Sequence, residues 1–310
     1  MTGADGFVGH HLVRELRRSL PSGAQLVLAS RAPRESDGNS SWIRLDLTDP
    51  GSIADAVRRV RPDLVVHLAA MSSVVQSFRG QGETWSVNVS GSIMLAQAIA
   101  AYAADATTLF VSSADVYGLA FNDGLVTEAC VPRPLSPYAR TKAAAEAMFG
   151  DVLPSSSRLI IARPAGHSGA GQDTRFVLPG FAAQIVEAER GASPVIRVGN
   201  LKVKRHFLDV RDVTAAYVAL LASAGALGNR SIFNIASDHP VQLEALLERL
   251  CSKSAIKVDI EIDRARLRSN EVPIAAIDSS AIRVGTGWKP RYSIDDLLDD
   301  LLMCFRTRPV

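Results

Sequence analysis

Cysteine is scarce: Cys130, Cys251 and Cys304 are the only three in 310 residues, far apart and without a Cys-x-x-Cys pair. That excludes a disulfide-framed fold and a cysteine-built zinc site, and it fits a reducing compartment. No metal site is expected. Long apolar runs are missing too. The richest, from Ala215 to Leu227, falls short of the roughly 18 to 20 residues of a membrane span and reads as a buried helix. A basic-then-apolar signal pattern is absent from the first residues, and the cysteine usage makes a reducing cytoplasm the expected location. Charge of one sign is also lacking, because 34 basic against 32 acidic residues leave a net of +2. Without a basic face there is no footprint for nucleic acid, and any anionic ligand must be held locally. With 22 Gly, 15 Pro and 47% hydrophobic residues, the chain is neither disordered nor fibrous.

What is present is enough chain for one large α/β unit or two lobes sharing a core. The first half alternates short apolar runs with helical periodicity, which predicts repeated βαβ units and a doubly wound parallel sheet of the Rossmann type. Predicted strands are Gln25–Ala29, Ser41–Leu45, Leu64–Ala69, Thr108–Ser112 and Leu159–Ala162. The helices between them are Phe7–Leu20, Pro50–Arg59, Glu83–Ala104 and Pro137–Gly150. Asp49 is the expected cap of the second, with Pro50 at its first position. Later helices are predicted at Leu178–Arg190, Val210–Ala224, Val241–Ser252 and Ile294–Phe305. The expected division is a dinucleotide-binding domain of residues 1–165 with 208–237, and a smaller C-terminal substrate lobe of 166–207 with 238–310.

One strand is missing. A doubly wound sheet begins with an apolar strand feeding a glycine turn, yet the turn Thr2-Gly3-Ala4-Asp5-Gly6-Phe7-Val8-Gly9 starts at the second residue. The absent strand would be central. The expectation is that the natural chain begins several residues earlier, with a further strand of about five to six residues.

Gly3, Gly6 and Gly9 open an amphipathic helix that includes Phe7 and Val8. Glycines admit close approach of backbone N–H groups to a pyrophosphate, and the helix terminus adds its positive dipole end. Three glycines also suit an ordinary turn. About 20 residues on, where an NAD site places an acid, the chain reads Ser30-Arg31-Ala32-Pro33-Arg34. Two guanidinium groups and no acid favour a 2′-phosphate, so NADP(H) is preferred and NAD(H) remains possible. Asp46 and Leu47 are expected to flank the adenine, and His67-Leu68-Ala69-Ala70 to run beside the cofactor. His67 itself is read as a core histidine.

Tyr138 and Lys142 stand at i and i+4 on one helix face. A phenol has a pKa near 10, and a neighbouring cation lowers it, so Lys142 is expected to depress that of Tyr138. Ser113, at a strand end, supplies a hydroxyl for the same carbonyl oxygen. Tyr117 lacks a lysine four residues on and is read as packing.

With these residues the chain resembles the extended short-chain dehydrogenase/reductase family, over essentially its whole length. The resemblance implies a catalytic triad of Ser113, Tyr138 and Lys142, with Tyr138 and Lys142 also touching the cofactor, and a helix asparagine, Asn88, at the cofactor site. Ala114 stands where the dehydratases of the family carry an acid, which points to simple ketone reduction. The stretches Val195–Leu201, Arg205–Asp212, Arg268–Pro273 and Thr286–Pro290 resemble GDP-mannose 4,6-dehydratases and GDP-4-keto-6-deoxymannose reductases. This implies a GDP-linked 4-keto-6-deoxy sugar as substrate, held by Ser113, Asn200, Arg205, Arg268 and Glu271, and a product such as GDP-D-rhamnose. Gly166 replaces an asparagine, and His206 an acid, of those relatives. The small residues Ala96, Ala143, Ala144 and Ala147 suit packing on the sheet or, by resemblance, a homodimer interface. Two other readings stay open: an NAD-dependent nucleotide-sugar 4-epimerase or dehydratase of the same fold, and a non-catalytic NADP-binding sensor.

Overall fold

The computed structural model describes residues 1–310 except 33–34, 36–39, 268–270 and 309–310. A parallel sheet forms its centre. Strands β1 (Leu26–Ser30), β2 (Ser40–Arg44), β3 (Leu64–His67), β4 (Thr107–Val111) and β5 (Leu159–Pro164) alternate with helices. These are α1 (Phe7–Ser19), α2 (Pro50–Val60), α3 (Val74–Arg79), a long helix built from α4 (Gln81–Trp85) and α5 (Gly91–Tyr102), and α6 (Pro137–Val152). Five of the predicted strands and four of the predicted helices are therefore in place, with α3 an addition. The predicted helix Glu83–Ala104 carries a π-helical turn over Ser86–Ser90, which turns Asn88 inward. Asp49 caps α2 as expected: its carboxylate accepts from Ser52 N at 3.2 Å, and Pro50 opens the helix.

β2 pairs with β1, and β3 with β4, β4 with β5, and β5 with a later strand, all in parallel. Between β1 and β3, where the first strand was expected, stand Met1 and Thr2 alone. Thr2 bridges both Ala29 and His67, its N–H donates to Val66 O at 2.9 Å, and Met1 O accepts from Ala29 N at 2.8 Å. The Met1 ammonium donates to Val27 O at 2.8 Å and, being buried, has its pKa pushed down to about 6.

The second half adds β6 (His167–Ser168), α7 (Val177–Glu189), β7 (Val195–Val198), β8 (Lys204–Arg205), β9 (Leu208–Asp209) and α8 (Val210–Ala222). These are followed by β10 (Arg230–Ile235), β11 (Val241–Gln242), α9 (Leu243–Ser252), β12 (Asp259–Ile262), α10 (Ser280–Thr286) and α11 (Ile294–Arg306). β10 completes the large sheet against β5, and Leu12, Leu16, Val213, Tyr217 and Leu220 of α1 and α8 pack together on one face of it. The other face is covered from α2, α5 and α6 by Ile53, Leu95, Ile99 and Phe149. A separate apolar cluster joins α7, α9 and α11 through Ile185, Leu246, Leu250 and Leu298. No helix among the described residues is long and apolar enough to cross a membrane.

Candidate active site

A cleft of about 870 Å³ opens at the carboxyl ends of the sheet strands, the place where α/β sheets of this winding bind ligands. Along the cleft, the glycine turn leads into α1 with Gly6 as a cap that offers no side chain and with no acid in the first turn, so no side chain caps the N–H groups that open the helix. Gly3 adopts φ +68°, and a Cβ there would sit 2.8 Å from Ala69 N. A Cβ on Gly9 would fall 2.2 Å from Gly3 O. Glycine is thus required at both positions, and the turn is tight enough to bring backbone against a ligand.

Of the residues expected at the cofactor, Gly3, Gly6, Phe7, Val8, Gly9, Arg31, Asp46, Leu47, Leu68, Ala69 and Ala70 all line this cleft. Arg31 is exposed at the end of β1 beside Ser30, and its charge contributes to lowering the Asp46 pKa; Arg34 lies outside the described residues. Asp46 accepts from both the N–H and the hydroxyl of Thr48, which lowers its pKa. Asn88 lines no part of the cleft. Its amide accepts from Met71 N at 2.8 Å and donates to Met71 O at 3.1 Å and Thr141 Oγ1 at 3.0 Å, so its polar atoms tie the loop after β3 to α6.

Ser113, Tyr138 and Lys142 line the same cleft. Ser136 caps α6 by accepting from Ala139 N at 3.1 Å, and Pro137 sets the first turn, so Tyr138 enters the cleft from a rigid helix start. Lys142, only 4% exposed, donates to Val111 O at 2.7 Å. The expected electrostatics are corrected here. Burial raises the Tyr138 pKa above that of a free phenol, the Asp115 carboxylate raises it further, and the neighbouring Ser113 hydroxyl lowers it only partly. Lys142 spends its ammonium on the Val111 carbonyl, and burial lowers its own pKa to about 8 against the upward pull of Glu146. Desolvation sets the direction at the phenol, and Lys142 is not among the groups that shift it.

His67 is the core histidine the sequence suggested. Ser92 Oγ donates to Asn88 O and lies 3.0 Å from His67 Nε2, while Thr2 Oγ1 lies 2.7 Å from Nδ1 and accepts from Ala69 N. The partners leave one assignment: Nε2–H donates to Ser92 and Nδ1 accepts from Thr2. Tyr117 is fully buried, donating to Asn234 Oδ1 at 2.7 Å.

Asn200, Arg205 and Glu271 assemble in the second half of the chain, and none of the three is among the residues lining the cleft. Asn200 Nδ2 donates to Glu271 Oε2 at 2.9 Å, and Arg205 Nη2 stands 3.9 Å from Glu271 Oε1. Arg268 lies outside the described residues. Gly166 is at the cleft, where a Cβ would fall 2.7 Å from His206 O; an asparagine could not enter without backbone movement. Sequence reasoning gave no role to His167, Gln172 and Arg175, which line the cleft from β6 and the segment after it, with Arg175 bonded to Asp173. It also missed the buried Arg163–Glu146 pair. Among the described residues, no group of three or more His, Cys, Asp or Glu could hold a metal ion.

A parallel sheet with a glycine turn at its centre and a Tyr-x-x-x-Lys helix facing it defines an extended short-chain dehydrogenase/reductase. Residues 1–301 match the family described as GDP-mannose 4,6 dehydratase, and the chain belongs to it. It is 33% identical to GDP-6-deoxy-D-mannose reductase of Pseudomonas aeruginosa over 99% of this chain and 97% of that one. It is 25% identical to GDP-6-deoxy-D-talose 4-dehydrogenase of Aggregatibacter actinomycetemcomitans, covering 97% of this chain and 95% of that one. Among solved structures, RMD from Pseudomonas aeruginosa complexed with NADPH superposes with a TM-score of 0.82 at 31% identity, covering 99% of this chain and 98% of that one.

Proposed function

We propose that this chain is an NADPH-dependent reductase of the C4 ketone of a GDP-linked 4-keto-6-deoxyhexose, giving a GDP-6-deoxyhexose such as GDP-D-rhamnose. The observation that carries the reading is the convergence of Ser113, Tyr138 and Lys142 on one cleft with an uncapped glycine turn. Residues 1–165 with 208–237 would hold the dinucleotide, through the N–H groups of the turn and α1 and through Arg31. The lobe of 166–207 with 238–310 would take the sugar nucleotide, Arg205 and Glu271 facing its diphosphate and ribose. The nicotinamide supplies the hydride when bound.

The side chains then have separate tasks. Tyr138 must arrive protonated to give its proton to the developing alkoxide, and the raised pKa keeps it so at neutral pH. Ser113 donates to the same oxygen and orients it. Lys142, still charged below about pH 8, offsets the negative charge left on the phenol. Ala114, buried at 4% exposure, has no proton to exchange, which supports reduction over water elimination.

The test is an assay with NADPH and the GDP-ketosugar. Tyr138→Phe should lower kcat by about 10² to 10⁴-fold with the fold intact; unchanged turnover would overturn the assignment. Purification with tightly held NAD and no net cofactor consumption would favour the epimerase. For assembly, the small residues of α5 and α6, including the exposed Ala147, support a homodimer, which light scattering of the purified protein would check.

A further inference from the structure

We infer that Glu146 is a positioning residue of this site: from α6 it fixes Ser112, and through it the adjoining Ser113, while placing a negative charge one turn from Lys142. The inference rests on the roles proposed above for Ser113, Tyr138 and Lys142.

Tyr138, Lys142 and Glu146 stand at i, i+4 and i+8 on α6 and so form one stripe along the helix. That stripe meets the last residues of β4 and the loop beyond it at successive points. Lys142 Nζ donates to Val111 O at 2.7 Å, Ser112 Oγ donates to Glu146 Oε1, and Ser113 follows beside Tyr138. A hydroxyl that must meet a substrate oxygen at hydrogen-bond distance needs its backbone held. Glu146 provides that hold one residue away.

Glu146 is itself held from β5. Arg163 Nε donates to Oε1 at 3.0 Å and Nη2 to Oε2 at 2.6 Å, while Nη1 donates to the Tyr117 hydroxyl at 2.9 Å. Both side chains are buried, at 4% and 7% exposure. A buried ion pair seldom stabilises a fold beyond what apolar side chains of equal volume would do, so its presence here calls for another reason. Orientation of the strand end and a local negative charge are two that the geometry supplies.

The charged and titratable groups around Lys142 come from every neighbouring element. They are Glu146 on its own helix, His67 on β3, Arg163 on β5 behind Glu146, and Asp115, Tyr138 and, from α8, Tyr217 toward the cleft. His67 is neutral, and Arg163 is matched by Glu146. Of these groups it is the Glu146 carboxylate that raises the Lys142 pKa.

The test uses the full chain with NADPH bound, labelled at the Cε of lysine, of which there are six, Lys142 being assigned through Lys142→Met. Ser112→Ala keeps the ion pair and removes only the grip on the strand end; kcat should fall about tenfold while KM and the Kd for NADPH change less than twofold. Glu146→Gln should move the Lys142 titration midpoint, and the alkaline limb of kcat with it, to lower pH. Because that variant leaves Arg163 buried without its counter-ion, Glu146→Asp is its companion. It keeps the charge with a shorter reach, so the midpoint should stay at the wild-type value while kcat falls as in Ser112→Ala. An unchanged kcat in Ser112→Ala, or a midpoint that moves in Glu146→Asp or stays in Glu146→Gln, overturns the inference. The titration needs no sugar, so a wild-type protein without turnover on the GDP-ketosugar sinks the proposed function and still leaves the Lys142 midpoint to decide this one.

Discussion

Thr2 Oγ1 lies 2.7 Å from Nδ1 of His67, joining the first residues of the glycine turn to the end of β3 beneath the cleft. That contact, with Ser92 on the other nitrogen, holds the imidazole neutral, and burial with the nearby Lys142 charge takes its pKa down to about 3.

An acid dependence of stability follows. The unfolded chain binds a proton at His67 below its ordinary pKa of 6.5 and the folded one does not until about 3, so stability is lost as the pH falls through that window. Between pH 6.5 and 5, His67 should account for about 1 to 2 kcal/mol of loss. Denaturant titrations at several pH values should show a shallower slope for His67→Asn than for the wild type. Equal slopes would place the acid sensitivity elsewhere, His206 being the next candidate with a pKa of about 4.

The choice of dinucleotide is expected to rest on Arg31. Arg31→Ala should weaken NADPH by about tenfold, corresponding to a charge-assisted hydrogen bond worth about 1.5 kcal/mol, and leave NADH affinity within twofold. Protein fluorescence titrated with each cofactor separates the two. A parallel loss for both would remove Arg31 from the 2′-phosphate.

Tyr217 is fully buried, and its hydroxyl has no hydrogen-bond partner among the described residues. Desolvation of that group is uncompensated, at a cost of about 1 to 3 kcal/mol. Tyr217→Phe removes the hydroxyl and keeps the ring among Leu12, Leu16 and Leu220. The melting temperature should rise by about 2 to 4 °C. A fall would show that the hydroxyl has a partner in solution.

At the proposed nucleotide end, Glu271→Gln removes the charge facing Arg205 while retaining an acceptor for Asn200. KM for the GDP-sugar should rise about fivefold to tenfold with kcat nearly constant, as for uniform binding lost far from the reacting carbon. A fall in kcat with KM unchanged would place Glu271 in the chemistry.

The glycine turn, the i and i+4 pair of Tyr138 and Lys142, and the apolar strand segments were legible because each depends on neighbours within one element. Backbone conformation, helix periodicity and capping by Asp49 are local properties, and the chain states them directly. Asn88 was legible only in part. Its place in the helix was readable, but the π-helical turn and the bonds to Met71 and Thr141 were not.

The sequence by itself determined the doubly wound sheet, the cleft at its carboxyl edge and the residue types that face it. Tertiary structure alone decided how they are charged and held. Ser113 meets Tyr138 because β4 packs on α6, and Glu146 meets Arg163 because β5 lies beside β4. Burial, which no spacing encodes, raises the Tyr138 pKa where the nearby lysine suggested the reverse. Desolvation depends on every element that closes over a group, and those elements come from distant parts of the chain.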